Sequence, residues 1–179
     1  MKSVKEKVQS AYDVMKGQFG YKNKMAAPKL VKVVVSVGTG SGMKRDIKRN
    51  EFVINRITKI TGQKPSLKGA KQSMASFKIR EGDPVGVMVT LRGARMYALL
   101  EKLLNISLPR TKDFRGIERK IVDNIGNATI GIKEHTIFPE TADEEIKDVF
   151  GLAITMVSTA STKEEATSFF ELIGVPFKK

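Results

Sequence analysis

The stretch LVKVVVSV, residues 30–37, decides the fold class of this chain. Five of its eight residues are valines, and β-branched side chains pack well on the pleated backbone of a strand. We therefore predict a buried strand at Leu30–Val37, and the rest of the chain is interpreted outward from it.

A glycine cluster, GTGSG at residues 38–42, follows this strand and predicts a tight turn. A helix should then run from about residue 44 to residue 61, where Gly62 stands at the C-cap position. The residues of this helix predicted to face inward are Ile47, Val53, Ile54, Ile57 and Ile60.

Two capping boxes predict helices near the ends of the chain. Ser3 with Glu6 opens a first helix that should run to about residue 19. Thr162 with Glu165 opens a last helix, which Gly174 and the proline at 176 should end.

The middle of the chain predicts further strands and one helix. Ser73–Arg80 and Val85–Leu91 flank the turn EGDP, so they should pair as an antiparallel hairpin. Helical spacing of apolar residues across 96–104 predicts a short helix that Pro109 stops near Ser107. Residues 128–138 and 152–160 are predicted to be two more strands.

About five strands with helices between them predict an α+β fold. We expect a two-layer sandwich in which helices cover one face of a largely antiparallel sheet and the other face is open to bind RNA. The expected organisation is a single domain over residues 1–179. It would consist of an N-terminal helix and connector (1–28), a sheet core (29–160), and a C-terminal helix and tail (161–179).

The net charge of +13 is unevenly distributed along the chain. Residues 1–80 contain 19 Lys and Arg against 4 Asp and Glu, whereas residues 138–179 contain 4 against 8. Such asymmetry favours a polyanionic partner, and RNA, DNA or an anionic membrane surface carries the required charge. A solubilising surface charge is the alternative interpretation.

The composition argues against an enzyme and against a membrane protein. The chain has no cysteine, which excludes thiolate catalysis, disulfides and cysteine-based zinc sites and favours a reducing compartment. It has no long apolar run and no signal-peptide pattern at the N-terminus, so we expect a cytoplasmic protein without a membrane partner. His135 is the single histidine and is predicted to pack or lie at the surface. The acidic residues Asp143, Glu144, Glu145 and Asp148 are predicted to be solvated, with no metal or cofactor.

The cluster GTGSG leaves one enzymatic alternative open. A glycine-rich turn between a strand and a helix is where a phosphate-binding loop would lie, but the frame GxxxxGK[ST] is missing. We prefer a turn that lets an RNA backbone approach, with Lys44, Arg45, Lys48 and Arg49 nearby, although these four residues would equally suit a solvated helix face.

Three basic segments are candidate RNA contacts. GAKQSMASFKIR (69–80) places cations among small and hydroxyl residues, which suits a phosphate backbone or simply an exposed hairpin. Thr90 and Arg92 alternate in TLRGARM (90–96) and so share one face of a strand. LPRTKDFRG (108–116) is predicted to be an ordered basic loop.

Several blocks resemble the bacterial large-subunit ribosomal protein five family: TLRG-x-RMY, LPR-x-x-DFRG, and the segment from GIKE to IFPE. The resemblance spans nearly the whole chain. It implies a structural constituent of the large subunit that binds 5S ribosomal RNA and helps attach it in the central protuberance. It also implies contact with P-site tRNA and an intersubunit bridge to small-subunit ribosomal protein thirteen. 23S ribosomal RNA and other central-protuberance proteins are further implied partners.

The resemblance assigns roles to three sets of residues. The implied 5S ribosomal RNA surface is Lys32, Ser36, Gln63, Lys64, Thr90 and Arg92. The implied tRNA contact is Lys71, Gln72 and Ser73 at the tip of the hairpin arm, with Lys78 and Arg80 lower down. The implied intersubunit candidates are Arg110, Lys112 and Arg115. A nonspecific RNA chaperone remains an alternative within the RNA-binding class.

The chain is a divergent member by this resemblance. Ser36 stands where the family usually has Asn, and Gln72 where it usually has a cation. Ile125, Ala128, Phe150 and Ala153 replace residues usual in the family. Loss of the charged pair at 150 and 153 predicts a local repacking of the C-terminal part of the sheet.

Overall fold

The computed structural model describes residues 3–40, 47–112, 114–141 and 149–178. The helices in these ranges are α1 (Val4–Gln9), α2 (Ala11–Phe19), α3 (Ile47–Thr61), α4 (Gly93–Lys102), α5 (Leu108–Arg110) and α6 (Lys163–Ile173). The strands are β1 (Leu30–Gly38), β2 (Ser66–Gly69), β3 (Pro84–Leu91), β4 (Ala128–Ile132) and β5 (Leu152–Ser158). None of the helices in the described ranges is both long and apolar enough to cross a membrane.

The five strands form one antiparallel sheet in the order β2-β3-β1-β5-β4. β1 lies at its centre because its run of valines can be buried by neighbours on both sides. The sheet is open rather than closed into a barrel. The predicted α+β class is therefore confirmed.

The two faces of the sheet differ in burial. Along β1, Val33, Val35 and Val37 are buried, while Lys32 and Ser36 alternate with them and remain partly exposed. β3 and β5 show the same alternation. A strand puts successive side chains on opposite faces, so one face is the core face and the other is partly open. We call the second one the open face.

The chain divides into two compact units. The first comprises residues 1–33, 92–130 and 155–179, and the second comprises residues 34–91 and 131–154. In the first unit α1 packs against α4 and α6, and the fully buried side chains include Leu100, Phe169 and Phe170. In the second unit α3 packs against β3, with Ile57 of α3 buried.

The structure confirms several predicted boundaries. Ser3 and Glu6 form the reciprocal capping box of α1. Gly62 has a φ of 67° directly after α3, and Gly174 has a φ of 111° after α6, so both take the left-handed conformation that favours glycine at a helix end. The part of the predicted glycine turn at residues 41–42, the first residues of the predicted helix at 44–46, and the acidic segment 143–148 lie outside the described residues.

The predicted strand at Ser73–Arg80 is wrong. This segment is a turn with a single antiparallel bridge between Met74 and Ile79. The strand that precedes β3 in the chain and pairs with it is β2, with Ser66 opposite Met88. Alternation of small and basic residues over 73–80 resembles strand periodicity, but among the described residues no strand pairs with this segment along its full length. The loop between the paired strands is therefore much wider than the turn EGDP.

Three other predicted elements have different lengths. The first helix is broken at Ser10, which caps α1 and starts α2. Pro109 does not stop the helix after α4, because a widened π-turn at Leu103–Ser107 leads into α5, where proline occupies one of the first positions and needs no donor. The strand predicted over 128–138 ends at Ile132 and that over 152–160 at Ser158.

His135 is a packing residue, as predicted. It lies in a short 3₁₀ turn, is fully buried, and stacks on Phe150 with ring centroids 4.1 Å apart. The backbone N–H of Phe150 donates to Nδ1 of His135 at 3.4 Å. The ring of Phe150 thus packs against His135 inside the second unit.

Tyr21 and Glu165 form a hydrogen bond within the first unit. The Tyr21 hydroxyl donates to Oε1 of Glu165 at 2.6 Å, and the Ser161 N–H donates to Oε2 at 2.8 Å. The Thr162 hydroxyl accepts from the Glu165 N–H as predicted, but the carboxylate caps Ser161 rather than Thr162. Desolvation by burial, followed by the hydrogen bond and the charge of Glu165, raises the pKa of Tyr21 well above its usual value.

This raised pKa predicts a stability change at alkaline pH. The neutral phenol is favoured in the folded state, so the stabilisation is complete below the unfolded pKa of about 10 and is lost as pH rises above it. We expect the free energy of unfolding of the parent protein to fall more steeply above about pH 10 than that of Tyr21→Phe. Urea unfolding at pH 8 and at several values above 10 measures this difference, and parallel curves for the two proteins would contradict it.

Candidate RNA-binding surfaces

The central strands β1 and β3 bring most of the predicted 5S ribosomal RNA residues onto the open face. β1 and β3 are neighbours in the sheet, and the Thr39 N–H, just after β1, donates to the Val85 carbonyl at 3.0 Å. Lys32 and Ser36 alternate with buried residues of β1, and Thr90 and Arg92 alternate with buried residues of β3, so these four residues lie on the open face. The predicted alternation of Thr90 and Arg92 therefore holds, because Arg92 keeps an extended backbone with φ −137° and ψ 163°.

Lys32 and Arg92 form the cationic part of this face in the first unit. Arg92 is exposed, and its Nη1 lies 3.5 Å from the Val31 carbonyl oxygen. That single long contact steers the guanidinium toward β1 and leaves its other donors unpaired among the residues that the structure describes. A planar fork of N–H donors beside a lysine is suited to bind a phosphate.

The hydrogen-bonding part of this face lies in the second unit. Nε2 of Gln63 donates to the Thr90 carbonyl at 3.2 Å, which fixes the segment after α3 against the end of β3. Lys64 beside it is exposed. The hydroxyls of Ser36 and Thr90 have no hydrogen-bond partner within the described ranges, so both are available to a ligand on the open face.

Sequence reasoning missed two residues of this face, Ser66 and Lys68. They lie on β2 directly opposite Met88 and Gly86 of β3, and directly opposed residues share a face. The Ser66 hydroxyl donates to the Met88 carbonyl at 3.2 Å, and Lys68 is exposed. The alternation of Ser66 and Lys68 was the available signal, but a four-residue strand is too short to stand out from a loop.

The predicted tRNA residues lie on the loop that joins β2 to β3, residues 70–83, which we call the arm. Backbone bonds close its base, since the Ala70 N–H donates to the Asp83 carbonyl at 2.8 Å and the Gly82 N–H donates to the Ala70 carbonyl at 3.0 Å. Further out, the Glu81 N–H donates to the Ser73 hydroxyl at 3.0 Å. The arm is therefore a hydrogen-bonded element.

The tip of the arm differs from the prediction. Beyond the bridge between Met74 and Ile79, the chain turns over residues 75–78, and the Lys78 N–H donates to the Ala75 carbonyl at 3.0 Å. Lys78 thus lies at the tip, whereas Lys71, Gln72 and Ser73 lie between the tip and β2. Phe77 is 69% exposed at this tip. The five predicted residues Lys71, Gln72, Ser73, Lys78 and Arg80 are all exposed.

Arg110 is exposed at the end of α5, and Lys112 and Arg115 are exposed on the loop that follows it in the first unit. The C-terminal tail anchors the far end of this loop, because the Ile117 N–H donates to the Pro176 carbonyl and the Lys178 N–H to the Ile117 carbonyl, both at 2.8 Å. The loop is thus attached to the body of the unit, and its cations point to solvent.

The nucleotide-loop alternative gains no support from the described residues. Of the four cations that follow the glycine cluster, Lys44 and Arg45 lie outside those residues, and of Lys48 only the backbone is described; Arg49 is exposed. No cluster of histidine and carboxylate residues able to hold a metal occurs in the ranges that the structure covers.

Comparison with known proteins identifies the family. A model described as ribosomal protein L5 matches residues 23–80, and a second model, which describes the C-terminus of the same ribosomal protein family, matches residues 84–177. This chain belongs to the ribosomal protein L5 family. Members of this family are structural and not enzymatic, which removes the nucleotide-dependent enzyme as a candidate. Binding of ribosomal RNA and a part in translation follow from membership of the L5 family.

Curated relatives match over most of their length. The chain is 51% identical to large ribosomal subunit protein uL5 of Halothermothrix orenii over 162 residues, which is 90% of each protein. It is 46% identical to the protein of the same name from Heliobacterium modesticaldum over 179 residues, 99% of each. The uL5 protein of Thermotoga maritima is 47% identical over 162 residues, 90% of this chain and 88% of that protein.

Proposed function

We propose that this L5-family protein binds 5S ribosomal RNA through the open face of its sheet and helps attach that RNA in the central protuberance of the large ribosomal subunit. The observation that carries the proposal is the pairing of β1 with β3 at the middle of the sheet. Lys32, Ser36, Thr90 and Arg92 alternate with buried residues of these two strands and so lie on the open face. A solvent-facing sheet with cations and small hydroxyls is a common RNA platform.

Recognition through this face divides into two kinds of contact. The cations Lys32, Lys64 and Arg92 neutralise phosphates, which positions the RNA without reading its sequence. Ser36, Gln63 and Thr90 hydrogen-bond to 2′-hydroxyls or exposed base edges. Ser36 is short and has no amide donors, so its contact reaches less far than that of the asparagine usual in the family. Lys68, opposite Gly86, adds a cation at the outer strand of the same face.

The arm is the proposed contact with P-site tRNA. Its exposed Lys71, Lys78 and Arg80 supply charge toward a curved phosphate backbone, while the bonds at its base hold it in one shape. Ser73 acts inside the arm by accepting from Glu81, so its contribution is to position the cations. Gln72 carries no charge, which removes one electrostatic contact relative to the family pattern.

The remaining partners are assigned to other parts of the molecule. The exposed loop with Arg110, Lys112 and Arg115 is the proposed intersubunit contact with small-subunit ribosomal protein thirteen. 23S ribosomal RNA and other central-protuberance proteins complete the proposed surroundings. Neither a metal nor a cofactor has a part in this function.

Separate substitutions test the two RNA surfaces. Arg92→Ala is expected to weaken 5S ribosomal RNA binding roughly tenfold, because a guanidinium bound to phosphate contributes on the order of 1–2 kcal/mol. Lys71→Ala is the matched control, which removes an exposed cation from the arm and should leave 5S binding unchanged. Filter binding with each purified variant measures both affinities, and far-UV circular dichroism checks the fold.

If Lys71→Ala weakened 5S ribosomal RNA binding and Arg92→Ala did not, the two RNA surfaces would have been assigned the wrong way round. An unrelated structured RNA is the competitor that separates specific binding from general RNA chaperone activity. If it displaces 5S ribosomal RNA as well as unlabelled 5S RNA does, the specific assignment is overturned.

A further inference from the structure

A cleft with a volume of about 480 Å³ lies within the first unit, outside the surfaces described above. It is formed by α1, α2, the segment that leads into β1, and α4. Pockets that hold small organic ligands have volumes of roughly 300–1,000 Å³. The cleft is therefore large enough for one nucleotide.

The floor of the cleft is apolar and its rim is polar. Val8, Ala27 and Leu30 line it and are buried, whereas Lys24 and Lys29 line it and are exposed. This combination suits a ligand with one flat apolar part and one anionic part, since the apolar part can contact the floor and the anionic part the lysines of the rim.

Two tyrosine rings line the same cleft. Tyr12 of α2 and Tyr97 of α4 are both partly exposed. Neither phenol hydroxyl has a hydrogen-bond partner among the described residues, although a buried tyrosine hydroxyl usually finds one. Both hydroxyls are therefore accessible from solvent and can bind the edge of a ligand. Every nucleic-acid base has a π-face that can stack on such a ring. Lys16 Nζ already lies over the Tyr12 ring, 5.4 Å from its centroid, so Tyr97 is the main stacking ring and Tyr12 contributes its hydroxyl.

Hydrogen bonds fix the backbone at the two rim lysines, while their side chains stay exposed. The Lys29 N–H donates to the Thr159 hydroxyl at 2.9 Å, and the Thr159 N–H donates to the Lys29 carbonyl at 3.0 Å. The Asn23 side chain caps the 3₁₀ turn that begins at Lys24. A backbone that is fixed before binding loses little conformational entropy when a phosphate binds, so only the lysine side chains need to become ordered.

The cleft adjoins the cationic part of the open face. Leu30 of its floor is next in sequence to Val31, whose carbonyl accepts from Arg92, and Lys32 follows. Within an extended strand these three residues span only about 7 Å. An RNA strand that binds Lys32 and Arg92 therefore passes close to the cleft.

We infer that this cleft binds a single unstacked base of the 5S ribosomal RNA, held by Tyr12 and Tyr97, with its phosphate at Lys24 and Lys29. The inference rests on the proposed function, because it takes the RNA on the open face to be 5S. Bases in loops and bulges of RNA are free to leave the stack and lie on aromatic side chains. A free mononucleotide has the same chemistry, and the experiment distinguishes the two sources.

The test uses fluorine NMR of protein labelled with 3-fluorotyrosine. The chain has three tyrosines, Tyr12, Tyr21 and Tyr97, and single substitutions to Phe assign the three signals. Tyr21 does not line the cleft and is bonded to Glu165, so it serves as the internal reference. On addition of 5S ribosomal RNA, the signals of Tyr12 and Tyr97 are expected to shift and that of Tyr21 to stay.

Binding affinity gives a second readout. Tyr97→Ala removes the ring and is expected to weaken 5S binding by about tenfold to a hundredfold, the range that loss of one stacked base corresponds to. Tyr97→Phe keeps the ring and loses only the hydroxyl, so its affinity should lie between that of Tyr97→Ala and that of the parent. If Tyr97→Ala fails to fold, Lys24→Gln replaces it, with Lys5→Gln as the control for an exposed lysine of α1 outside the cleft.

The possible outcomes separate the two proposals. If the parent does not bind 5S ribosomal RNA, the proposed function fails together with this inference. If 5S binds but the Tyr12 and Tyr97 signals do not move, only the cleft assignment is overturned. Shifts caused by AMP and not by 5S RNA would assign the cleft to a free nucleotide and would also overturn it.

Discussion

The affinity for 5S ribosomal RNA is expected to fall about a hundredfold between 50 and 200 mM monovalent salt. The open face carries four candidate phosphate contacts, Lys32, Lys64, Lys68 and Arg92. Each neutralised phosphate releases a counterion, so log affinity falls with log salt at a slope of about −0.9 per contact on a duplex. Filter-binding titrations at a series of salt concentrations measure this slope.

Two variants test which cations cause the salt dependence of 5S binding. Arg92→Ala should reduce the slope by about one, because one phosphate contact is lost. A variant with Lys71, Lys78 and Arg80 all changed to Gln removes three charges from the arm and should leave the slope of 5S binding unchanged. An affinity that is insensitive to salt would rule out recognition through phosphates on the open face.

Gly126→Ala is expected to destabilise the protein by about 3 kcal/mol. Gly126 is buried with a φ of 85°, which costs a residue with a Cβ about 1–2 kcal/mol. An added Cβ would also lie 2.6 Å from the Ala160 carbonyl oxygen, and such overpacking costs about 1–3 kcal/mol. The backbone cannot easily move away, because the Ser158 hydroxyl donates to the Gly126 carbonyl at 2.6 Å.

Gly131→Ala is the matched control for this prediction. Gly131 lies in β4 with nothing within 4 Å of an added Cβ and no positive φ. Alanine there should leave stability unchanged or raise it slightly, since it restricts the unfolded chain. Urea unfolding compares the two variants, and equal midpoints would show that the turn at 123–127 tolerates a side chain.

Most of the fold follows from local patterns. The valines of residues 30–37 fall in β1, and the capping box of Ser3 and Glu6 begins α1. These signals depend on residues that are close in sequence, so they can be recognised without a structure. The predicted strand at 73–80 was wrong because a strand needs a partner, and which segment pairs with β3 depends on residues far apart in the chain.

The sequence predicted some residues of the candidate sites better than others. Thr90 and Arg92 were placed on one face by alternation alone. That Lys32 and Arg92 share one face of the sheet required the pairing of β1 with β3, and the position of Lys78 at the arm tip required the bridge between Met74 and Ile79. Lys68 was missed because β2 has only four residues.

The sequence by itself determined the α+β class, the excess of positive charge in the first eighty residues, and the family. Composition, periodicity and motifs are local properties that need no partner segment. The tertiary structure decided which strands pair, where the arm turns, that Phe150 stacks on His135, and that Tyr12 and Tyr97 share one cleft. These are contacts between distant residues, and their energies depend on packing in three dimensions.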